Sequence, residues 1–236
     1  MGRGGVSRPF EAVLFDMDGV LVDSEPMHVE AMREVLRPLG VPYTDEDNTR
    51  YFGFTDPEVF RDLNARHGLA LDERALTRRR IEVIVRLTRE RDLAMDGARD
   101  VPPRIAAAGY RLALASSSAP EIIEATLDAL GIRSAFDVVL SGLTVGRGKP
   151  APDLFLETAS RLRVPPAGCL VAEDSRNGLL AAKAAGMACV AIPCAATRGQ
   201  DFTEADWCVT SLCDLPALLN LDSGPDDRDR RRMSRP

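Results

Sequence analysis

Two aspartates stand two residues apart at the end of a short apolar run: AVLF at 12–15 leads into Asp16, Met17, Asp18 and Gly19. Carboxylates in that pattern are not core. If the strand continued, both would face one side, because strand side chains repeat every two residues. A carboxylate can attack phosphorus and form an acyl phosphate. A second one beside it can protonate the leaving oxygen and later take a proton from water. Two such charges at short range need a cation nearby, or one must hold a proton. The spacing alone is a weak motif; its position at the carboxyl end of a strand gives it weight.

A second apolar run, GCLVA at 168–172, ends in Glu173 and Asp174. If it lies beside the first, its acids converge with Asp16. Carboxyl oxygens, a backbone carbonyl, water and phosphate then suit the octahedral demands of Mg2+. The two acids would alternatively cap the helix that follows. Ser116, Ser117 and Ser118 close a third run and precede Pro120 at a helix start. Hydroxyls and backbone donors there make a phosphate cradle, or a helix cap alone. Lys149 lies in VGRGKPAPD, a glycine- and proline-rich turn. It would neutralise the nucleophile and a phosphoryl oxygen, with Arg147 as a substitute, or either could be a surface charge.

The elements that must position these groups read as an α/β domain. AVLFD at 12–16, YRLALAS at 110–116, DVVLS at 137–141, GCLVAED at 168–174 and ACVAI at 188–192 have the character of buried strands. Helix-like stretches lie at 120–130, 151–163 and 175–186, bounded by Pro120, Gly131, Pro165, Ser175 and Gly186. Strand alternating with helix predicts a Rossmann-like, mostly parallel sheet with helices on both faces. Residues 22–96 differ. They hold amphipathic stretches at 24–40, 56–68 and about 72–93 and few strand-like runs. That is too long for a plain crossover and reads as a small all-helical cap inserted after the first strand, able to exclude water on closing. The expected division is therefore core at 1–21, cap at 22–96, core at 97–222 and a disordered, arginine-rich tail at 223–236.

Bulk properties bound the function. The 236 residues carry a formal charge of -6, with 45% hydrophobic and 28% charged residues, so a globular protein without a basic nucleic-acid footprint is expected. Five cysteines at irregular spacing and two histidines suggest neither a disulfide scaffold nor a Cys/His metal site. Free, mostly buried thiols in a reducing cytosol are the simpler reading. The start, MGRGGVSRPFEAVLFDMDG, does not read as a signal peptide or membrane span. A cytoplasmic monomer or weak homodimer, with no membrane or nucleic-acid partner, is the expectation.

The segments DMDGVLVDSEPMH at 16–28, SSS at 116–118, GKPAPDLF at 148–155 and EDSRNGLLAAKAAGM at 173–187, in this order, resemble the haloacid dehalogenase-like hydrolase superfamily. The resemblance runs from about Phe10 to Leu221 and is to the phosphatase branch that includes β-phosphoglucomutase. It implies Asp16 as nucleophile and Mg2+ ligand, and Asp18 as general acid/base that also lends the metal its backbone carbonyl. Ser116 would hold the phosphoryl group and Lys149 would neutralise charge. Asp174 would ligate Mg2+ with Glu173 in support. Gly19, Ser117 and Ser118 would lie about the phosphate and His28 near the hinge. In the cap, Phe52, Phe54 and Thr55 are the candidates for touching the leaving group, the aromatic rings packing on a sugar or base or else forming cap core. An aspartate at position 18 argues against dehalogenation.

A small phosphorylated metabolite, either a sugar phosphate or a nucleotide, is the implied substrate. A β-phosphoglucomutase-type mutase uses the same two aspartates. In its cap, however, basic residues grip a second phosphate where this chain has Phe52 and Asp56, and an aspartate there would repel one. Arg78, Arg79, Arg80, Arg86 and Arg89 offer a replacement cation, though such a run more often forms a solvated helix face. Phosphatase is therefore preferred to mutase. A non-catalytic binding protein on the same fold is a remote alternative, because every expected catalytic side chain is present. A phosphate-sensing response protein would lack the insertion and an acid/base at position 18.

Overall fold

The computed structural model describes residues 10–51 and 54–221. In chain order, β1 (Ala12–Phe15) is followed by α1 (Glu25–Leu36), α2 (Asp45–Arg50), α3 (Asp56–His67) and α4 (Glu73–Glu90). Then come α5 (Val101–Ala107), β2 (Arg111–Ser116), α6 (Pro120–Leu130), β3 (Val138–Ser141) and α7 (Asp153–Leu162). The chain finishes with β4 (Cys169–Glu173), α8 (Arg176–Ala184), β5 (Ala188–Ala191), β6 (Trp207–Cys208) and α9 (Leu215–Leu218). The expected tail at 223–236 lies outside the described residues.

All strands pair in parallel, in the order β3-β2-β1-β4-β5-β6. This is the Rossmann-like sheet expected from the alternating runs. Its inner strands β1, β2, β4 and β5 are largely apolar because they are buried on two sides, whereas the edge strand β6 is exposed. Val13, Phe15, Leu112, Leu114, Leu170 and Val190 join one core cluster. Ala12, Leu14, Ala113, Ala115, Val171 and Cys189 join the other. The chain steps outward from β1 in one direction through β2 and β3, and in the other through β4, β5 and β6. The crevice at the carboxyl ends of β1 and β4 is thus the topological switch point, where open α/β sheets bind ligands.

The four helices α1–α4 leave the sheet directly after β1 and return before α5. The two connections run side by side: Asp23 N–H donates to Leu93 O and Met95 N–H to Leu21 O, each at 2.9 Å, and Val22 bridges Ala94 antiparallel. Helix α4 packs against α1 and α3 and also lies on α6 of the sheet domain. Its start is fixed by Asp72, whose carboxylate accepts from Arg74 and Ala75 N–H. Buried Val83, Ile84 and Leu87 form its inner face.

The five thiols are free; Cys169 and Cys189 are buried, but Cys208 and Cys213 are exposed, so the expectation of mostly buried cysteines holds for only part of the set. Among the described residues no helix is long and apolar enough to cross a membrane.

Candidate active site

Register brings the acids together. Phe15 pairs with Ala172 of β4, so Asp16, one residue past β1, lies beside Glu173 at the end of β4. Asp16 N–H donates to Ala172 O at 2.9 Å, which extends the ladder by one bond. Lys149 reaches in from the turn before α7. Its Nζ donates to Asp16 Oδ1 at 2.7 Å and to Glu173 Oε1 at 2.5 Å, and it lies 5.0 Å from the Phe155 ring centroid. Arg147 is not available as a substitute, because it is exposed and paired with Asp153 at 2.8 Å. Glu173 is fully engaged: its Oε2 accepts from Ser175 N–H and Oγ–H at 2.9 and 3.0 Å. It packs where only a glycine, Gly178, leaves room at the start of α8.

Charge is unbalanced here. Asp16, Glu173 and Asp174 are all buried, and each offers a carboxylate oxygen within 4.8 Å of the others. One ammonium faces three acids. Burial raises the Asp16 pKa well above the usual carboxylate value; Lys149 opposes the shift, while Glu173, Asp174 and Asp18 add to it. Burial and then Glu173 push Asp174 up to about 7, against hydrogen bonds from Cys194 and Thr197. Burial opposes the Lys149 charge, but Asp16 and Glu173 hold it protonated. A hard divalent cation with oxygen ligands would fit this donor set and supply the missing charge.

The Asp174 shift has a sign that can be measured. Its folded pKa lies above the unfolded value, so the native state binds more protons between about pH 4 and 7 and stability falls as pH rises through that window. Metal-free protein should therefore melt lower at about pH 8 than at about pH 5, and added Mg2+ should flatten the difference. Thermal unfolding in EDTA and in Mg2+ measures both. A melting point that rises with pH in EDTA would contradict the charge imbalance.

Asp18 stands outside that cluster. Its Oδ2 accepts from Ser118 Oγ–H at 2.9 Å, and its Oδ1 lies 3.7 Å from His28 Nε2. Burial disfavours its charge, but His28, Ser24 and Ser118 outweigh burial and hold the pKa at about 2. His28 Nδ1 is 3.1 Å from Arg80 Nη2 on α4. Arginine only donates, so this bond makes Nδ1 the acceptor and leaves the ring proton on Nε2, facing Asp18. Arg80 Nη1 in turn donates to Asp56 at 2.7 Å. Among the described residues, Asp18 Oδ1 and Arg80 Nε are the buried side-chain atoms with no hydrogen-bond partner.

Two expectations about the helical segment change. Asp56 is not a bare negative charge, because Arg80 neutralises it. Arg80 is not part of a solvated face: its side chain is 13% exposed, whereas Arg79 is 61% exposed and pairs with Glu82 on the surface.

The other candidates divide. Ser116 is wholly buried, and its Oγ accepts from Ser118 N–H at 3.0 Å. Ser117 is exposed. Ser118 is tied to Asp18 on one side, and its carbonyl accepts from Ser141 Oγ–H at 2.7 Å on the other. Gly19 adopts φ +77°. Its N–H is taken by Val22 O, and any Cβ would fall against Asp174 Oδ2. Phe54 is 53% exposed and edge-on to Tyr51, with centroids 5.9 Å apart. The Thr55 hydroxyl is occupied by Glu58 at 2.7 Å, as the start of α3 requires. Phe52 lies outside the described residues. Sequence reasoning missed Ser24 and Ser141, and it treated Cys194 only as a thiol and Thr197 not at all.

A family model described as haloacid dehalogenase-like hydrolase matches residues 10–186. Fructose-1-phosphate phosphatase YqaB of Escherichia coli is 34% identical over 182 residues, 75% of this chain and 94% of that protein. The crystal structure of CbbY from Rhodobacter sphaeroides in complex with phosphate superposes with a TM-score of 0.82 at 34% identity, covering 90% of this chain and 100% of that one. A mutant of the same CbbY, in complex with xylulose-(1,5)bisphosphate, gives 0.78 at 33% identity, covering 86% and 94%.

Proposed function

The chain belongs to the haloacid dehalogenase-like hydrolase family, and we propose that it is an Mg2+-dependent phosphatase of small sugar phosphates acting through an Asp16 phosphoryl intermediate. The observation that carries this is the Asp16 carboxylate, held by Lys149 at the switch point with Asp174 and Glu173 beside it. Asp16 and Asp174, with the Asp18 backbone carbonyl, would hold the cation, and Glu173 would support them while orienting Lys149. Bound Mg2+ would offset the carboxylate charge and polarise a phosphoryl oxygen.

In this reading, Asp16 attacks phosphorus, and the ester oxygen leaves with a proton from Asp18. Lys149 steadies the charge that develops on the phosphoryl oxygens. Ser116 shapes the loop at 116–118, and Ser118 keeps Asp18 aimed into the crevice. Asp18, ionised again, then takes a proton from the water that attacks the aspartyl phosphate. Helices α1–α4 act as a cap over the crevice, excluding bulk water.

Arg80 bears on the substrate. Its charge is cancelled by Asp56, so it is not a free cation. A neutralised guanidinium is a poorer grip for a second phosphate than a free one. This replaces simple repulsion by Asp56 as the argument against a phosphomutase. The relative crystallised with a bisphosphate makes that class the one to compare. Asp56→Asn should free the Arg80 charge and raise kcat/KM for a sugar bisphosphate over the monophosphate by about 5- to 10-fold. An unchanged ratio would remove Asp56 from substrate choice.

The deciding assay is Mg2+-dependent phosphate release across hexose, pentose and polyol phosphates, sugar bisphosphates and nucleoside monophosphates. Hydrolysis of sugar phosphates with turnover lost in EDTA is the expected result. Conversion of β-glucose 1-phosphate to glucose 6-phosphate with a bisphosphate primer, without net phosphate release, would make the chain a mutase.

A further inference from the structure

We propose that Cys194 and Thr197, on the loop after β5, are positioning residues that hold Asp174 in its metal-binding orientation, an inference that rests on the Mg2+ reading above. Both side chains converge on one oxygen. Cys194 Sγ–H donates to Asp174 Oδ2 at 3.3 Å, and Thr197 Oγ1–H donates to the same atom at 3.2 Å. Thr197 is buried, and its hydroxyl accepts the Cys194 backbone N–H at 3.1 Å, which directs its proton to Asp174. The loop closes on itself through Thr197 N–H and Arg198 N–H, which both donate to Cys194 O.

A third contact completes the enclosure. Gly19, in the left-handed region, passes Asp174 Oδ2 so closely that no side chain would fit. Oδ2 is thus surrounded by the loop after β1 and the loop after β5. The carboxylate cannot turn without breaking two bonds, and among the described residues the donors to it fall on Oδ2, not Oδ1. Donors behind a ligating carboxylate orient it, and their loss typically costs about 10- to 100-fold in metal affinity. The thiol is the weaker of the two donors, so Thr197 should carry more of the effect.

The test is calorimetric titration of Mg2+ into metal-free protein. Thr197→Val should weaken Mg2+ binding about 10-fold and Cys194→Ala a few-fold, with the double variant weaker than either. Thr197→Ser and Cys194→Ser keep a donor and should bind nearly as the unaltered protein does. Melting points in EDTA report whether each variant is folded before its Mg2+ affinity is compared. Unchanged Mg2+ affinity in Thr197→Val and Cys194→Ala would overturn the proposal. So would equal weakening in the serine variants, which would indicate packing alone. The single variants decide the matter if the double variant does not fold. The metal reading fails separately: the unaltered protein would then bind no Mg2+, or Asp174→Asn would bind it equally well.

Discussion

Asp16→Asn should yield a folded protein whose turnover is lower by about 10^4-fold or more, with no trappable phosphoenzyme. The amide has nearly the shape of the carboxylate but not its nucleophilicity. No neighbour can take over the attack. Glu173 is committed to Lys149 and Ser175, Asp174 to Cys194 and Thr197, and Asp18 to Ser118 and His28. Folding should survive for an electrostatic reason. Burial and three nearby acids already penalise the Asp16 charge, and Lys149 retains Glu173 as a partner. Phosphate release measures turnover. Acid quenching with a radiolabelled phosphoester, followed by hydroxylamine treatment, measures the acyl phosphate. Residual turnover above roughly 1% with an intact phosphoenzyme would mean that another group attacks.

The sheet was legible because its physics is simple. Strands buried on two faces are apolar without interruption, so β1 to β5 stand out as runs, and all but β5 end in polar residues. β6 did not stand out. It is two exposed residues, Trp207 and Cys208, held by pairing to β5 and by Trp207 edge-on against Phe10. Helix α5 was hidden by Pro102 and Pro103, which look like breakers but are tolerated in a first turn.

The acids of the site were legible for the same reason as the strands: a carboxylate that follows a buried run is out of place unless it has a task. Arg80 was not legible. It sits between Arg79 and Ile81 on a helix rich in arginine, and only the return of α4 across α1 and α3 separates it from its exposed neighbours. Its partners lie 24 and 52 residues away, at Asp56 and His28. Cys194 and Thr197 lie in a loop of small residues with no periodicity to read. Their meaning comes from a strand order that sets β5 beside β4, and so sets this loop beside Asp174.

Asp18→Asn should lower kcat by about 10^2- to 10^4-fold while leaving Mg2+ affinity and the fold intact. Asn keeps an oxygen for Ser118, and the backbone carbonyl at position 18 is unchanged. What it loses is proton transfer, and the two halves of the reaction need that differently. With Asp18 held near pKa 2, the resting group is an ionised base. It gains the leaving-group proton only once a phosphoryl dianion beside it raises its proton affinity. An aryl phosphate with a good leaving group does not need that proton. Such a substrate should still phosphorylate Asp16 in the variant, but water would then lack its base. A burst of aryl alcohol followed by slow turnover, with phosphoenzyme accumulating, is the expected pattern. Equal loss for aryl and sugar phosphates, with no burst, would move Asp18 from proton transfer to positioning.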